Sequence, residues 1–228
     1  MGLLGVRVVL TREHGHNEPQ RTWLPDDAIV TEVPLTTTHY FDVNRVREEL
    51  LKTKHAGAFK VLVVTSGRSA RYVAAAREAL SEGALELSVG SATALALGDA
   101  VASADAEDEG GALRLDSEIE EGPALLLGAT TMRGELPAAL RARGIEVTKV
   151  ACYETLPAVL SGDDVRQLRD ADVVLIGAPS AWQVAEGLVE ARAWVAVPGP
   201  TTSAEVRRSH ERVIEGWGPD LKEHLRTL

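Results

Sequence analysis

Six side chains able to hold an anion fall where an apolar run gives way to a helix-forming one: Ser66, Arg68, Thr93, Ser180, Thr201 and Thr202. Residues 61–64 lead into Thr65-Ser66-Gly67-Arg68, and residues 87–89 into Gly90-Ser91-Ala92-Thr93. The pattern returns over a hundred residues later. Residues 173–176 run into Gly177-Ala178-Pro179-Ser180, and 195–197 into Pro198-Gly199-Pro200-Thr201-Thr202. A helix start presents unpaired N–H groups and a partial positive charge, so four of them suit an anionic ligand. Plain N-capping by Ser and Thr is the other reading, and one turn can do both. Tyr153, in Tyr153-Glu154-Thr155 at a strand end, carries a phenol that can give or accept a proton without charge at neutral pH. It reads either as a proton donor or as a packing residue with its hydroxyl at the rim.

The elements that position these residues alternate. Hydrophobic periodicity predicts strands over 6–11, 29–33, 61–65, 86–89, 124–127, 145–153, 173–176, 194–197 and 212–214. It predicts helices over 43–54, 69–81, 92–100, 134–143, 162–170, 180–191, 203–209 and 219–225, a helix interrupted by Pro19 and Pro25 within 13–27, and a short helix in 112–118. Gly144 reads as a helix stop. Alternation of this kind means parallel, doubly wound α/β sheets. So many strands exceed one small sheet, and the paired turns imply two similar halves with a ligand held between them. Two passages, at Pro34 and after Tyr153, divide the chain. One domain is expected from 1–34 plus 156–228 and a second from 38–150, with linkers at 35–37 and 151–155.

Composition narrows the class. The chain has 228 residues, 45% hydrophobic but only 4% aromatic, so the core is built from Val, Leu and Ala. A net charge of −10 argues against nucleic acid or an anionic membrane as partner. No stretch approaches the roughly 20 apolar residues of a membrane span, the N-terminus does not read as a signal peptide, and the single cysteine, Cys152, fits a reducing compartment. A cytoplasmic protein is expected, and a monomer, because no apolar stripe is left over. Phosphate-loop, dinucleotide, zinc-protease and nucleophile-elbow motifs are absent. His14 and His16 lack a third ligand, and the acidic run 105–111 reads as a solvated loop. No cofactor and no metal are indicated.

In order, the motifs resemble the uroporphyrinogen-III synthase family: Leu10-Thr11-Arg12, Pro34, Thr65-Ser66-Gly67-Arg68-Ser69-Ala70, Val89-Gly90-Ser91-Ala92-Thr93-Ala94, the stretch 136–144, Tyr153-Glu154-Thr155, Pro179-Ser180-Ala181 and Gly199-Pro200-Thr201-Thr202. The chain departs at Ala178, where the family often has a further Ser, and in 128–133. The resemblance implies two doubly wound domains joined by a two-stranded linker. It also implies a linear tetrapyrrole substrate, hydroxymethylbilane, which carries eight carboxylates and is dehydrated and cyclised with inversion of its last ring. No cofactor takes part. On this resemblance Arg12 and Arg68 pair with carboxylates, and Ser66, Thr93, Ser180, Thr201 and Thr202 add hydrogen bonds. Tyr153 protonates the departing hydroxyl or orients a water that does. A non-catalytic two-domain sensor of an anionic metabolite would share the architecture.

Overall fold

The computed structural model describes residues 5–53, 58–89, 91–98, 102–104, 115–132 and 134–226. The chain divides into two compact units, Met1–Thr37 with Leu156–Leu228, and Thr38–Thr155.

The first unit is built on strands β1 (Arg7–Leu10), β2 (Ile29–Glu32), β9 (Val173–Leu175), β10 (Trp194–Val197) and β11 (Val213–Glu215). Their order is β11-β10-β9-β1-β2, and every pair is parallel. Alternate residues face opposite ways. Val9, Val174, Ile176, Val195 and Val197 enter one core with Leu168, Trp182 and Val206, while Val8, Leu10, Val173, Leu175 and Ala196 enter the other with Leu24, Leu221 and Leu225. Helices α6 (Gly162–Asp170), α7 (Pro179–Ala185) and α8 (Pro200–Val206) cover the first face, and α9 (Pro219–Arg226) covers the second. Burial on both faces explains why these strands read as unbroken apolar runs.

The second unit carries β4 (Phe59–Val64), β5 (Leu80–Val89), β6 (Ala102–Ala104), β7 (Ala124–Ala129) and β8 (Val147–Pro157). With β3 (Thr36–Tyr40) the sheet order is β3-β8-β7-β4-β5-β6. The pairs among β4 to β8 are parallel. Phe41 N donates to Cys152 O and Ala158 N to Leu35 O, so β3 and β8 run in opposite directions, and each passes from one unit to the other. Leu62, Val64, Leu125, Leu127 and Val150 pack under α2 (Val43–Thr53) and α3 (Val73–Arg77). Val61, Val63, Ala124, Leu126 and Val147 pack under α5 (Glu135–Ala142). Helix α5 ends as expected: Gly144 takes φ +80°, its N–H reaches Arg141 O, and Ile145 N reaches Leu140 O. That is a Schellman cap, with Ile145 and Leu140 in one apolar cluster.

Several predicted bounds change. Within 13–27 only α1 (Glu18–Arg21) is helical, because Pro19 is tolerated in the first turn but Pro25 cannot continue it. Of the linker expected at 35–37, Thr36 and Thr37 open β3, where three consecutive threonines favour a strand. The helix over 69–81 becomes a 3-10 helix (Gly67–Tyr72) followed by α3, and the strand starts early, at Leu80, where Phe59 N bonds Ala79 O. Helix α7 stops at Ala185, two residues before Gly187 at φ +77°, and α8 starts early on Pro200. Helix α4 covers Ser91–Leu97, and β6 follows where no strand is expected. The short helix in 112–118 is a 3-10 turn at Leu115–Glu118. The acidic run 105–111 lies outside the described residues.

Candidate active site

In a parallel sheet, ligands bind beyond the carboxyl ends of the strands, at the point where strand order reverses. That point lies between β1 and β9 in the first unit and between β4 and β7 in the second. Both are closed by the same device. Thr11, one residue past β1, donates its hydroxyl to Leu175 O of β9 at 2.5 Å. Thr65, one residue past β4, donates its hydroxyl to Leu127 O of β7 at 3.2 Å. Each threonine fastens the two strands that diverge there, and each precedes a candidate residue, Arg12 or Ser66.

In the second unit three of the expected residues come together. Ser66 caps the 3-10 helix, accepting from Arg68 N at 3.3 Å. Opposite, β8 carries a bulge: Gly128 pairs with Ala151 but Ala129 pairs with Tyr153. One extra residue in β8 breaks the alternation, so Cys152 and Tyr153 enter the same apolar cluster although they are consecutive. The bulge thus turns Tyr153 toward the 3-10 helix, with Arg68 Cζ 6.0 Å from its ring centroid. The Tyr153 ring is held by packing and is 5% exposed.

Two residues the sequence reading missed complete the group. Tyr40, at the end of β3, lies 6.2 Å from Tyr153 between centroids, and Arg71 Cζ sits 4.9 Å over the Tyr40 ring. Two guanidinium groups therefore flank two tyrosine rings. Tyr72 is fully buried and anchors the 3-10 helix, donating to Phe41 O at 2.6 Å. Beside Phe41, Arg45 Cζ stands 5.1 Å over its ring, and His39 Nδ1 bonds Glu154 Oε1 at 3.0 Å. The signal available was the Thr36–Thr38 run: read as a strand, it places Tyr40 on the ladder next to β8.

Cys152 takes no part as a nucleophile. Burial pushes its thiol up to about 12, so the reactive thiolate is not formed at neutral pH.

The remaining expected residues are distributed differently. Ser180 and Thr201 are the second residues of α7 and α8, after Pro179 and Pro200, and both are exposed. Their caps, Ala178 and Gly199, supply no side-chain bond. Thr202 and Thr93 are buried, at 1% and 6% exposure. Arg12 is half-buried, its stem beside Gly177 at the end of β9, where a Cβ would lie 3.9 Å from Arg12 Cγ.

The loop carrying Arg12 is pinned from β2. Glu32 accepts from Arg21 Nη2 at 2.7 Å and bonds His14 Nδ1 at 3.0 Å. The bond from Arg21, then that from His14, holds its carboxyl below the usual range near 4.5. A depressed carboxylate stabilises the fold above its unfolded pKa, and that contribution disappears as pH falls through the folded value. The thermal midpoint of Glu32→Gln should therefore lie below that of the parent at pH 6–8. The gap should close below about pH 4. A gap that persisted at low pH would assign the loss to something other than the carboxylate.

Two mostly parallel, doubly wound sheets, with acid-base and cationic side chains at the strand ends, make this a two-domain α/β protein. The chain belongs to the uroporphyrinogen-III synthase family: the model of uroporphyrinogen-III synthase HemD matches residues 26–215. Its members are cyclising lyases of porphyrin biosynthesis. The fold is similar to that of a mutant uroporphyrinogen III synthase from the extremely thermophilic bacterium Thermus thermophilus (TM-score 0.64, 17% identity, 98% of this chain and 97% of that one). It is also similar to uroporphyrinogen-III synthetase from Helicobacter pylori (TM-score 0.62, 14% identity, 96% and 97%). No curated protein matches the chain in sequence. Among the described residues, no helix is long and apolar enough to cross a membrane.

Proposed function

We propose that this chain removes water from hydroxymethylbilane and closes it to uroporphyrinogen III with inversion of the last ring. The observation that carries the reading is the β8 bulge, which turns Tyr153 to the face that holds Arg68. Loss of the substrate's hydroxyl needs a proton on the leaving oxygen. Tyr153 supplies it, directly or through a water. The carbocation-like end of the chain that remains is then attacked by the substituted carbon of the last pyrrole, and the resulting spiro centre rearranges to the inverted ring. Unaided, the linear substrate closes to the uninverted isomer, so the protein's main contribution is shape. Holding an intramolecular reaction in its productive geometry supplies up to roughly 7–11 kcal/mol.

Carboxylates of the substrate are taken by charged and polar groups at the strand ends. Arg68 and Arg71 stand over tyrosine faces, which fixes the guanidinium planes for bidentate pairing along their edges. Arg12 takes a carboxylate at the β1–β9 end, joined by Ser180 and Thr201. Ser66 contributes with its remaining hydrogen-bond capacity, and Thr93 and Thr202 support the turns from beneath. The reading includes a monomeric cytoplasmic enzyme that uses no cofactor and has no nucleic-acid or membrane partner. Family membership favours it over the metabolite sensor.

Incubation with freshly prepared hydroxymethylbilane, followed by oxidation and separation of the porphyrin isomers, tests the proposal. Isomer III in excess of isomer I is expected. Binding without conversion, leaving only isomer I, would establish the sensor instead.

A further inference from the structure

The loop after β1 contains two carboxamides that are almost inaccessible to solvent, Asn17 at 1% and Gln20 at 2% exposure. Gln20 lies on α1, a helix of four residues, too short to be stable by itself. Buried amides need partners, and Asn17 Nδ2 and both ends of Gln20 find them within this loop, whereas Asn17 Oδ1 has none. Asn17 Nδ2 donates to Arg12 O at 3.0 Å and reaches Glu13 O at 3.4 Å. With its amide turned to satisfy both ends, Gln20 donates to Asn17 O at 3.2 Å and His16 O at 3.3 Å, and its oxygen accepts from Arg12 Nη1 at 3.1 Å. The backbone of Arg12 is thus held by Asn17 and its guanidinium by Gln20. Thr11, its neighbour, is tied to Leu175 O.

We infer that Gln20 is a positioning residue: it fixes the Arg12 guanidinium at the β1–β9 strand ends so that its other N–H groups meet a carboxylate of the substrate. The inference rests on the reading of Arg12 as a carboxylate ligand. The chemistry favours an amide over a carboxylate at residue 20. A neutral acceptor orients the guanidinium without itself cancelling the positive charge, whereas Glu would neutralise it. Of the three bonds Gln20 makes, two go to carbonyls of the loop, and the third, which satisfies its buried oxygen, goes to Arg12.

Steady-state kinetics with hydroxymethylbilane separate the two roles. Gln20→Met keeps the length and removes the acceptor. Gln20→Asn keeps a carboxamide in the buried position but withdraws it from Arg12 by one methylene. Either change should raise KM about 3–10-fold with kcat within about twofold, as expected for loss of an orienting bond to a charged group. In an Arg12→Ala background the same changes should leave KM where Arg12→Ala alone puts it. Equal increments in both backgrounds, or an unchanged KM in either folded single variant, would overturn the inference. If Gln20→Met does not fold, Gln20→Asn decides alone. If Arg12→Ala itself leaves KM unaltered, the role of Arg12 falls and the inference falls with it. An Arg12→Ala effect with none from residue 20 refutes the positioning role only.

Discussion

Tyr153→Phe is expected to slow formation of uroporphyrinogen III by about 10²–10⁴-fold, the range lost when a positioned general acid is removed. The change deletes one oxygen and keeps the ring. That ring is 5% exposed and packs with Val150 and Leu62 in the core of the second unit, so the fold should survive. Substrate affinity should change little, since the proposed reading gives the carboxylates to Arg12, Arg68 and Arg71 rather than to the phenol. Lowered kcat with constant KM marks an interaction made only in the transition state. The product mixture gives a second readout. With enzymatic closure slowed, spontaneous closure competes, and isomer I should rise at the expense of isomer III. A variant with parental kcat and isomer ratio would leave Tyr153 as a packing residue and remove the proton-transfer step from the mechanism. Tyr40→Phe is the matching control: its ring sits under Arg71, so retaining the ring should retain activity within a few-fold.

The doubly wound architecture was legible because each central strand is buried on both faces. Val61 to Val64 and Val173 to Leu175 read as apolar runs for that reason, and the helix N-terminal turns between them announce themselves in Gly, Ser and Thr. What could not be read is what depends on pairing partners. The Thr36–Thr38 run has the chemistry of a strand, but its place beside β8 is set by bonds such as Phe41 to Cys152, more than a hundred residues apart. The bulge that turns Tyr153 is likewise a property of two strands in register, Ala129 against Tyr153, and no local pattern in β8 reports it. Sequence reasoning therefore reached Tyr153 by its motif and Arg68 by its turn, and missed Tyr40 and Arg71. Those two come beside Tyr153 only once β3 is laid on β8. The fate of the hydroxyls follows the same rule. Position after a strand brought out Ser180 and Thr202 alike, yet the helix turn exposes the first and buries the second.

Gly128→Ala should be among the most damaging single-methyl additions in the chain, because it strikes the strand crossing that supports Ser66 and the bulge together. Gly128 is the residue of β7 that pairs with Ala151, immediately before the bulge. A Cβ built there would lie 2.6 Å from Thr65 Oγ1 and 2.6 Å from Met132 Sδ. Methionine can swing aside at modest cost. Thr65 is stiffer: it is β-branched and its hydroxyl is committed to Leu127 O, the carbonyl just before Gly128. Relief therefore requires breaking that bond or displacing the strand, and overpacking of this kind costs about 1–3 kcal/mol. Thermal or denaturant unfolding should report a loss in that range. Activity should fall further than stability explains, since moving Thr65 moves the cap at Ser66 and the 3-10 helix that carries Arg68 and Arg71. The collision with Thr65 can be isolated. Thr65→Ala removes the hydroxyl, at a cost of about 0.5–1.5 kcal/mol for its bond. In that background, adding the methyl at Gly128 should cost much less than it does alone. Strictly additive losses would place the strain elsewhere, and the Thr65 crossing would no longer be what holds the end of β4 against β7.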